Sequence, residues 1–194
     1  MLAAYGIPVT RDRLATSADL AAKAARRVKG PVVMKIASPD ITHKSDLGLV
    51  VMGVEHPADV RATFDRLVRR ARKRAPDARV EGVLVCETAA PGVEVMVGVQ
   101  HDATFGPCVA FGLGGVFVEV FDDLAVRVPP FGRAEARRMV DQTRGAALLA
   151  GARGGPPADV GALVDVIMAL QRLAQDHAEV IREVDINPLV VTAD

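Results

Sequence analysis

The chain has 194 residues, half of them apolar, and its 24 basic side chains equal its 24 acidic ones. That length buries a sizeable core as one domain or as two small lobes. The neutral balance and an aromatic content of only 4% exclude a general nucleic-acid surface, which needs basic excess and stacking rings. No apolar run approaches the roughly 18 residues of a membrane span, and no charged-then-apolar leader opens the chain, so neither a membrane nor a signal is expected. Cys86 and Cys108 match no metal-ligand spacing and read as reduced thiols of a cytoplasmic protein.

Met1 to Gly6 reads as the last turn of a helix, and Ile7 to Val9 as a short extended piece. Thr16 or Ser17 caps a helix with Leu20, Ala21, Ala24, Ala25 and Val28 on one face, which Gly30 ends. The run Pro31 to Ile36 is of β type and carries one charge, Lys35. A polar loop follows with Thr42, His43, Lys44, Ser45 and Asp46, and a second β-type run leaves at Leu49. His56-Pro57 opens a helix with Val60, Phe64, Leu67, Val68 and Ala71 as one stripe; its opposite face, from Arg61 to Arg74, is basic and reads as a solvated helix face.

From Val80 the pattern changes to closely spaced strands: Val80 to Cys86, Val93 to Gln100, Gly106 to Phe111, Val116 to Val120 and Ala125 to Val128. Glu87 to Gly92 (ETAAPG) is the candidate hinge, which sets the expected lobes at 1–86 and 87–194. Arg133 to Gln142 and Asp159 to His177 read as helices around the irregular loop Gly151 to Pro157. The order makes this an α+β chain.

Lys35 is either an edge-strand lysine facing water or a cation aimed at an anion such as a phosphate. The loop beside it concentrates groups that handle phosphate: a histidine, a lysine, two hydroxyls, and the acids Asp40 and Asp46. Near neutral pH an imidazole keeps one ring nitrogen free as a nucleophile, and Asp46 and Lys44 are local candidates to orient it and to offset phosphoryl charge. His56, His101 and His177 lack such neighbours and read as structural. In the run Glu183-Val184-Asp185-Ile186-Asn187-Pro188, strand alternation points Glu183, Asp185 and Asn187 one way, roughly 7 Å between neighbours. These hard oxygens suit magnesium, or they form the wet face of an amphipathic strand. Phe111 to Gly115 (FGLGG), leading to Glu119 and Asp122-Asp123, is a glycine-rich turn without the spacing or lysine of a Walker loop. Glu94 is a ribose contact or an ordinary strand acid, and Arg153 a phosphate contact or, the favoured reading, a loop support.

HKSD after a lysine-bearing strand, VEGVLV, PGVEVMVGVQHDATFGP, FGLGGVFVEVFDDLAVRVPP, the RGG-PP-AD loop and EVDINPLVV follow one another in that order. The set closely resembles the ATP-grasp domain of nucleoside-diphosphate-forming acyl-CoA synthetases, the ADP-forming acetyl-CoA synthetase group related to succinyl-CoA synthetase. The resemblance implies a two-lobed ATP-grasp fold that binds ATP or ADP with Mg2+. It also implies phosphoryl transfer to or from a histidine on a CoA-ligase domain, alongside a CoA-binding domain, both absent from this chain. On that basis Lys35 matches the phosphate-binding lysine and His43 the phosphorylated relay. Val83, Leu84, Val85 and Glu87 match the adenine-facing hinge, Glu94 the ribose contact, and Asp185 and Asn187 the metal ligands. The pattern departs where Leu49 follows Gly48 in place of a second glycine, and where the chain stops at Asp194 short of a further acid. The competing expectation is a non-catalytic nucleotide-sensing module of a fused acetyltransferase; retention of Lys35 and His43 favours the enzyme.

Overall fold

The computed structural model describes residues 1–42, 44–114, 123–151 and 155–193. His43, Gly115, Glu119, Asp122, Arg153 and the predicted strand Val116 to Val120 lie outside the described residues. The chain divides into two compact units, a smaller one of Thr10–Ala89 and a larger one that joins Met1–Val9 to Ala90–Asp194.

The smaller unit is a four-stranded antiparallel sheet with two helices on one face. Its strands are β1 (Asp12–Ala15), β2 (Val32–Ala37), β3 (Val50–Val54) and β4 (Gly82–Glu87), in the spatial order β1-β4-β2-β3. Helix α1 (Ala18–Ala25) starts where the Ser17 hydroxyl accepts from the Leu20 amide at 3.3 Å, satisfying one of the free N–H groups of the first turn. Helix α2 (Pro57–Arg74) has proline in its first turn and three basic residues in its last, as the peptide dipoles favour. Met34, Ile36, Val83 and Val85 point at Ala21, Ala22, Val60 and Leu67, and these side chains make one core.

The larger unit repeats the plan with β5 (Val93–Asp102), β6 (Gly106–Leu113), β7 (Leu124–Arg127) and β8 (Glu183–Val191), ordered β7-β6-β5-β8 and all antiparallel. Helices α3 (Arg133–Asp141), α4 (Ala146–Leu149) and α5 (Val160–Asp176) accompany it. Val95, Val97, Val109 and Phe111 pack with Met139, Ile167 and Leu170 in a single core. The edge strand β7 is fastened to α3 by Arg127, which donates from Nε to Glu135 and from Nη2 to Gln142, each at 2.6 Å. Hydrogen bonds from Arg138 and then Arg127 hold the Glu135 carboxyl below its ordinary pKa.

Several elements differ from the sequence expectation for identifiable reasons. The first strand is Asp12–Ala15 and not Ile7 to Val9: Ile7 turns back to bond Leu2 O and buries its side chain in the larger unit's core. Helix α1 stops at Ala25, short of Gly30, because the Arg27 and Val28 amides bond the carbonyls three residues back and tighten the turn. The short α4 has no periodicity to announce it. Among the described residues no helix is long and apolar enough to cross a membrane.

Ile167 is fully buried in the larger unit, and Ile167→Ala is expected to lower that unit's unfolding free energy by about 2–5 kcal/mol through lost transfer energy and a residual cavity. Urea unfolding checks this; a loss below about 1 kcal/mol would show the site collapses around the smaller side chain.

Candidate functional site

Among the described residues the helices of each unit pack on one face of its sheet, and the period of two along each strand sends alternate residues to the other, bare face. On β2 the neighbours of Lys35, Met34 and Ile36, are fully buried, while Lys35 itself is half-buried on the opposite side. Lys35 stands in register with Leu84 on β4 and Val50 on β3, so these three share the bare face of the smaller unit. Asp12 and Cys86 lie in register with each other on the same face. Burial raises the Cys86 thiol pKa, the Lys35 charge pulls it back, and Asp12 adds to the rise, which places a cation, a carboxylate and a thiol within electrostatic reach. Among the described residues Lys35, half-buried, makes no hydrogen bond or ion pair.

The four residues of the adenine-facing segment are placed differently from one another. Val83 and Val85 are buried against the helices, and β4 is hydrogen-bonded to β1 on one side and β2 on the other. Their side chains and their backbone groups are therefore both committed to the fold. Leu84 presents its side chain beside Lys35. Glu87, at the end of β4, exchanges bonds with Arg11: its amide donates to Arg11 O at 2.8 Å and its carboxylate accepts from Arg11 N at 3.2 Å.

The loop after β2 is built by short-range bonds around two buried anchors, Ile41 and Leu49. Lys44 donates from Nζ to Ile41 O at 2.9 Å, Gly48 N to Ser45 O at 2.8 Å, and Leu49 N to Lys44 O at 2.8 Å. Lys44 is thus spent on holding the loop, while Asp46 stays exposed. Arg70 reaches across from α2 and donates from Nη1 to Gly48 O at 2.9 Å. Gly48 has φ +64, and a Cβ there would lie 2.6 Å from Arg70 Nη1. The expected solvated face of α2 therefore contains, in Arg70, a residue tied to the loop; no local signal reveals it, because the pair is separated by 22 residues.

In the larger unit β8 alternates as expected: Glu183, Asp185 and Asn187 are exposed, while Val184 and Ile186 pack on the core. Asp185 sits opposite Gly98 on β5, where a Cβ would lie 3.0 Å from Val184 O, so the floor beside this carboxylate has no side chain. Glu94 is exposed on β5, and its carbonyl accepts from Gly114 N at 3.1 Å. Asp123 is occupied structurally, its carboxylate accepting from Arg144 N at 2.7 Å and Gly145 N at 3.4 Å ahead of α4. Among the described residues no three His, Cys, Asp or Glu side chains group as a self-sufficient metal cage. Two hard oxygens on one strand face fit magnesium, which completes its shell with water and phosphate.

Two antiparallel sheets, each with one bare face carrying a lysine or carboxylates, define a chain of the ATP-grasp class, and the ATP-grasp domain family matches it over residues 1–194. The chain belongs to that family and corresponds to the ATP-grasp part of ADP-forming acyl-CoA ligases. It is 40% identical over 191 residues to the acetate–CoA ligase (ADP-forming) II subunit beta of Pyrococcus furiosus, covering 98% of this chain and 81% of the relative. It is 41% identical to acetate–CoA ligase (ADP-forming) I of Archaeoglobus fulgidus over 98% of this chain, but that spans only 28% of the relative. Among solved structures, the dinucleotide-forming acetyl-coenzyme A synthetase 1 of Ca. Korarchaeum cryptofilum in complex with coenzyme A, Ca-AMPCP and HgCl+ superposes with a TM-score of 0.95. That match has 40% identity and covers 100% of this chain and 84% of the other. The same protein with coenzyme A and Mg-AMPPCP, its phosphohistidine segment pointing towards the nucleotide binding site, gives a TM-score of 0.85 at 37% identity, covering 99% of this chain and 82% of the other.

Gly48→Ala is expected to destabilise the smaller unit by about 1–2 kcal/mol, since alanine resists the left-handed backbone and its methyl displaces the Arg70 guanidinium. Arg70→Ala, which removes only an exposed hydrogen bond, should cost about 1 kcal/mol or less. Amide exchange at Ser45 to Leu49 separates the two, and equal protection in wild type and both variants would show that the loop does not depend on the clamp.

Proposed function

We propose that this chain is the nucleotide-handling part of an ADP-forming acyl-CoA ligase, binding ATP or ADP with Mg2+ and passing a phosphoryl group to or from a CoA-ligase partner. The observation that carries the reading is Lys35: a half-buried, unpartnered ammonium on a bare sheet face. The names of the relatives support it, and the beta-subunit relatives, together with single-chain relatives more than three times longer, support a partner that holds the CoA chemistry. The two free thiols and the lack of a spanning helix among the described residues support a cytoplasmic location.

In this reading Lys35 Nζ offsets charge on the nucleotide phosphates, Leu84 offers an apolar contact beside it, and Glu94 takes ribose hydroxyls. Asp185 and Asn187 hold magnesium, which when bound screens the phosphate oxygens and fixes their orientation. His43 is the nucleophile. Its free ring nitrogen forms a bond to the γ-phosphorus of ATP while the bond to the bridging oxygen breaks and ADP leaves, and the reverse sequence makes ATP. Because such transfer depends on positioning and charge stabilisation, the clamped shoulder of the loop at Gly48 serves the reaction by limiting where the preceding residues can go.

Lys35→Ala is expected to weaken ATP binding by roughly 1–3 kcal/mol, the scale of a charge-assisted hydrogen bond, and Asp185→Asn to lose most of the gain in affinity that magnesium gives the wild type. Calorimetric titration with and without Mg2+ tests both, and unchanged binding in either variant removes that residue from the site.

The isolated chain should bind nucleotide without making acyl-CoA. With a CoA-ligase partner supplied, the wild type should turn over and carry an acid-labile phosphate, whereas His43→Ala should do neither. Full activity of His43→Ala in that mixture would end the relay assignment.

A further inference from the structure

We propose that the smaller unit carries a second anion site, for a small organic phosphate, in the hollow between β1 and α1. Arg13, Lys23 and Arg27 line a cavity of about 220 Å³ together with Leu14, Leu20 and Ala24. Among the described residues that line it, three are cations and none is acidic. The natural partner of Lys23 one helical turn back is Asp19, but the Asp19 carboxylate is taken by Arg61 Nε at 2.8 Å. Four residues ahead of Lys23 stands Arg27, a like charge whose proximity is unfavourable. The negative end of the α1 dipole accounts for Lys23 in its last turn. It does not account for Arg13, which arrives from the strand.

Four arginines of the same unit are engaged, Arg61 with Asp19, Arg66 with Thr63, Arg70 with Gly48 O and Arg79 with Asp40, while Arg26, Arg69, Arg72 and Arg74 are exposed. Among the described residues the side chains of Arg13, Lys23 and Arg27 make no hydrogen bond or ion pair. Two guanidinium forks and an ammonium around one hollow match the three oxygens and double charge of a phosphoryl group. The rest of the lining chooses the ligand's body. Leu20, 48% exposed on α1, gives an apolar flank beside the charges. The ligand class is therefore a phosphate ester with an apolar or aromatic body, and inorganic phosphate alone uses only half of the site.

This hollow is separate from the Lys35 position. Arg13 is in register with Val85, which faces the helices, whereas Lys35 is in register with Leu84 on the bare face. The side chains of Arg13 and Lys35 therefore lie on opposite faces of the sheet. The proposal therefore stands independently of the nucleotide assignment, and Lys35→Ala serves as the background in which to test it.

The test is an NMR titration of the full Lys35→Ala chain at fixed ionic strength with inorganic phosphate and with phenyl phosphate, following backbone amides of residues 13–27. The expected result is saturable shifts at Arg13, Leu20, Lys23 and Arg27, with phenyl phosphate binding at least fivefold more tightly than inorganic phosphate. Adding Arg13→Gln or Arg27→Gln should each weaken phenyl phosphate at least fivefold, while Arg74→Gln, an exposed arginine on α2, should leave it unchanged. The three substituted arginines are on the surface, and a thermal melt confirms that each variant is folded. Shifts that fail to saturate, equal losses in the Arg74 variant, or full affinity in both the Arg13 and Arg27 variants would overturn the site. Equal affinity for the two probes would overturn the apolar flank.

Discussion

One-sided burial of two antiparallel sheets is the constraint on which the rest of this protein depends. A strand packed against helices on one face must alternate, so every residue with chemistry to offer is two positions from the next and none can migrate to the other side without moving the whole strand. Lys35 stands between Met34 and Ile36, and Asp185 between Val184 and Ile186, so in each case the flanking apolar residues fix the orientation of the polar one. The same rule commits Val83 and Val85 to the core while leaving Leu84 beside the lysine. The bare faces are therefore a consequence of how the cores are built.

A second layer of order is local and polar. The loop after β2 has no sheet or helix to satisfy its backbone, so it closes bonds on itself through Lys44, Ser45 and Leu49 and borrows one guanidinium from α2. Leu49 replaces the second glycine that the family pattern leads one to expect, and its side chain is fully buried. In this chain the shoulder of the loop is an anchor, and Gly48 supplies a left-handed turn. Positioning by a fixed shoulder suits phosphoryl transfer, in which the protein contributes geometry and charge more than covalent chemistry.

Charge is distributed by the same economy. The net charge is zero, yet the smaller unit gathers arginines on β1, just after α1 and along α2, and Arg61, Arg70 and Arg79 are tied to a carboxylate or carbonyl. Among the described residues Lys35 on one face of the sheet, and Arg13, Lys23 and Arg27 around the hollow beside α1, have no such tie, and these are the two places proposed for an external anion.

Much of this was legible in the residues themselves. Long periodic stripes place α2 and α5 correctly, because burial of one helix face leaves a 3.6-residue signature that nothing else produces, and the alternation in Glu183 to Ile186 foretells which oxygens face outward. The ordered motifs identify the family, since six of them in sequence leave little room for coincidence. Other features depended on tertiary structure. Strand β1 is four residues long with two charges in it, and it exists because β4 offers an unpaired edge. Ile7 belongs to the core of the larger unit although it precedes the smaller one in the chain. Arg70 finds Gly48, and Asp19 turns from Lys23 to Arg61, through contacts between residues 22 and 42 positions apart. Sequence by itself determines periodicity and composition, which are local properties of the chain; which partner satisfies a given charge is decided only when distant segments are brought together, because hydrogen bonds and ion pairs act over a few ångströms of space, whatever the separation along the chain.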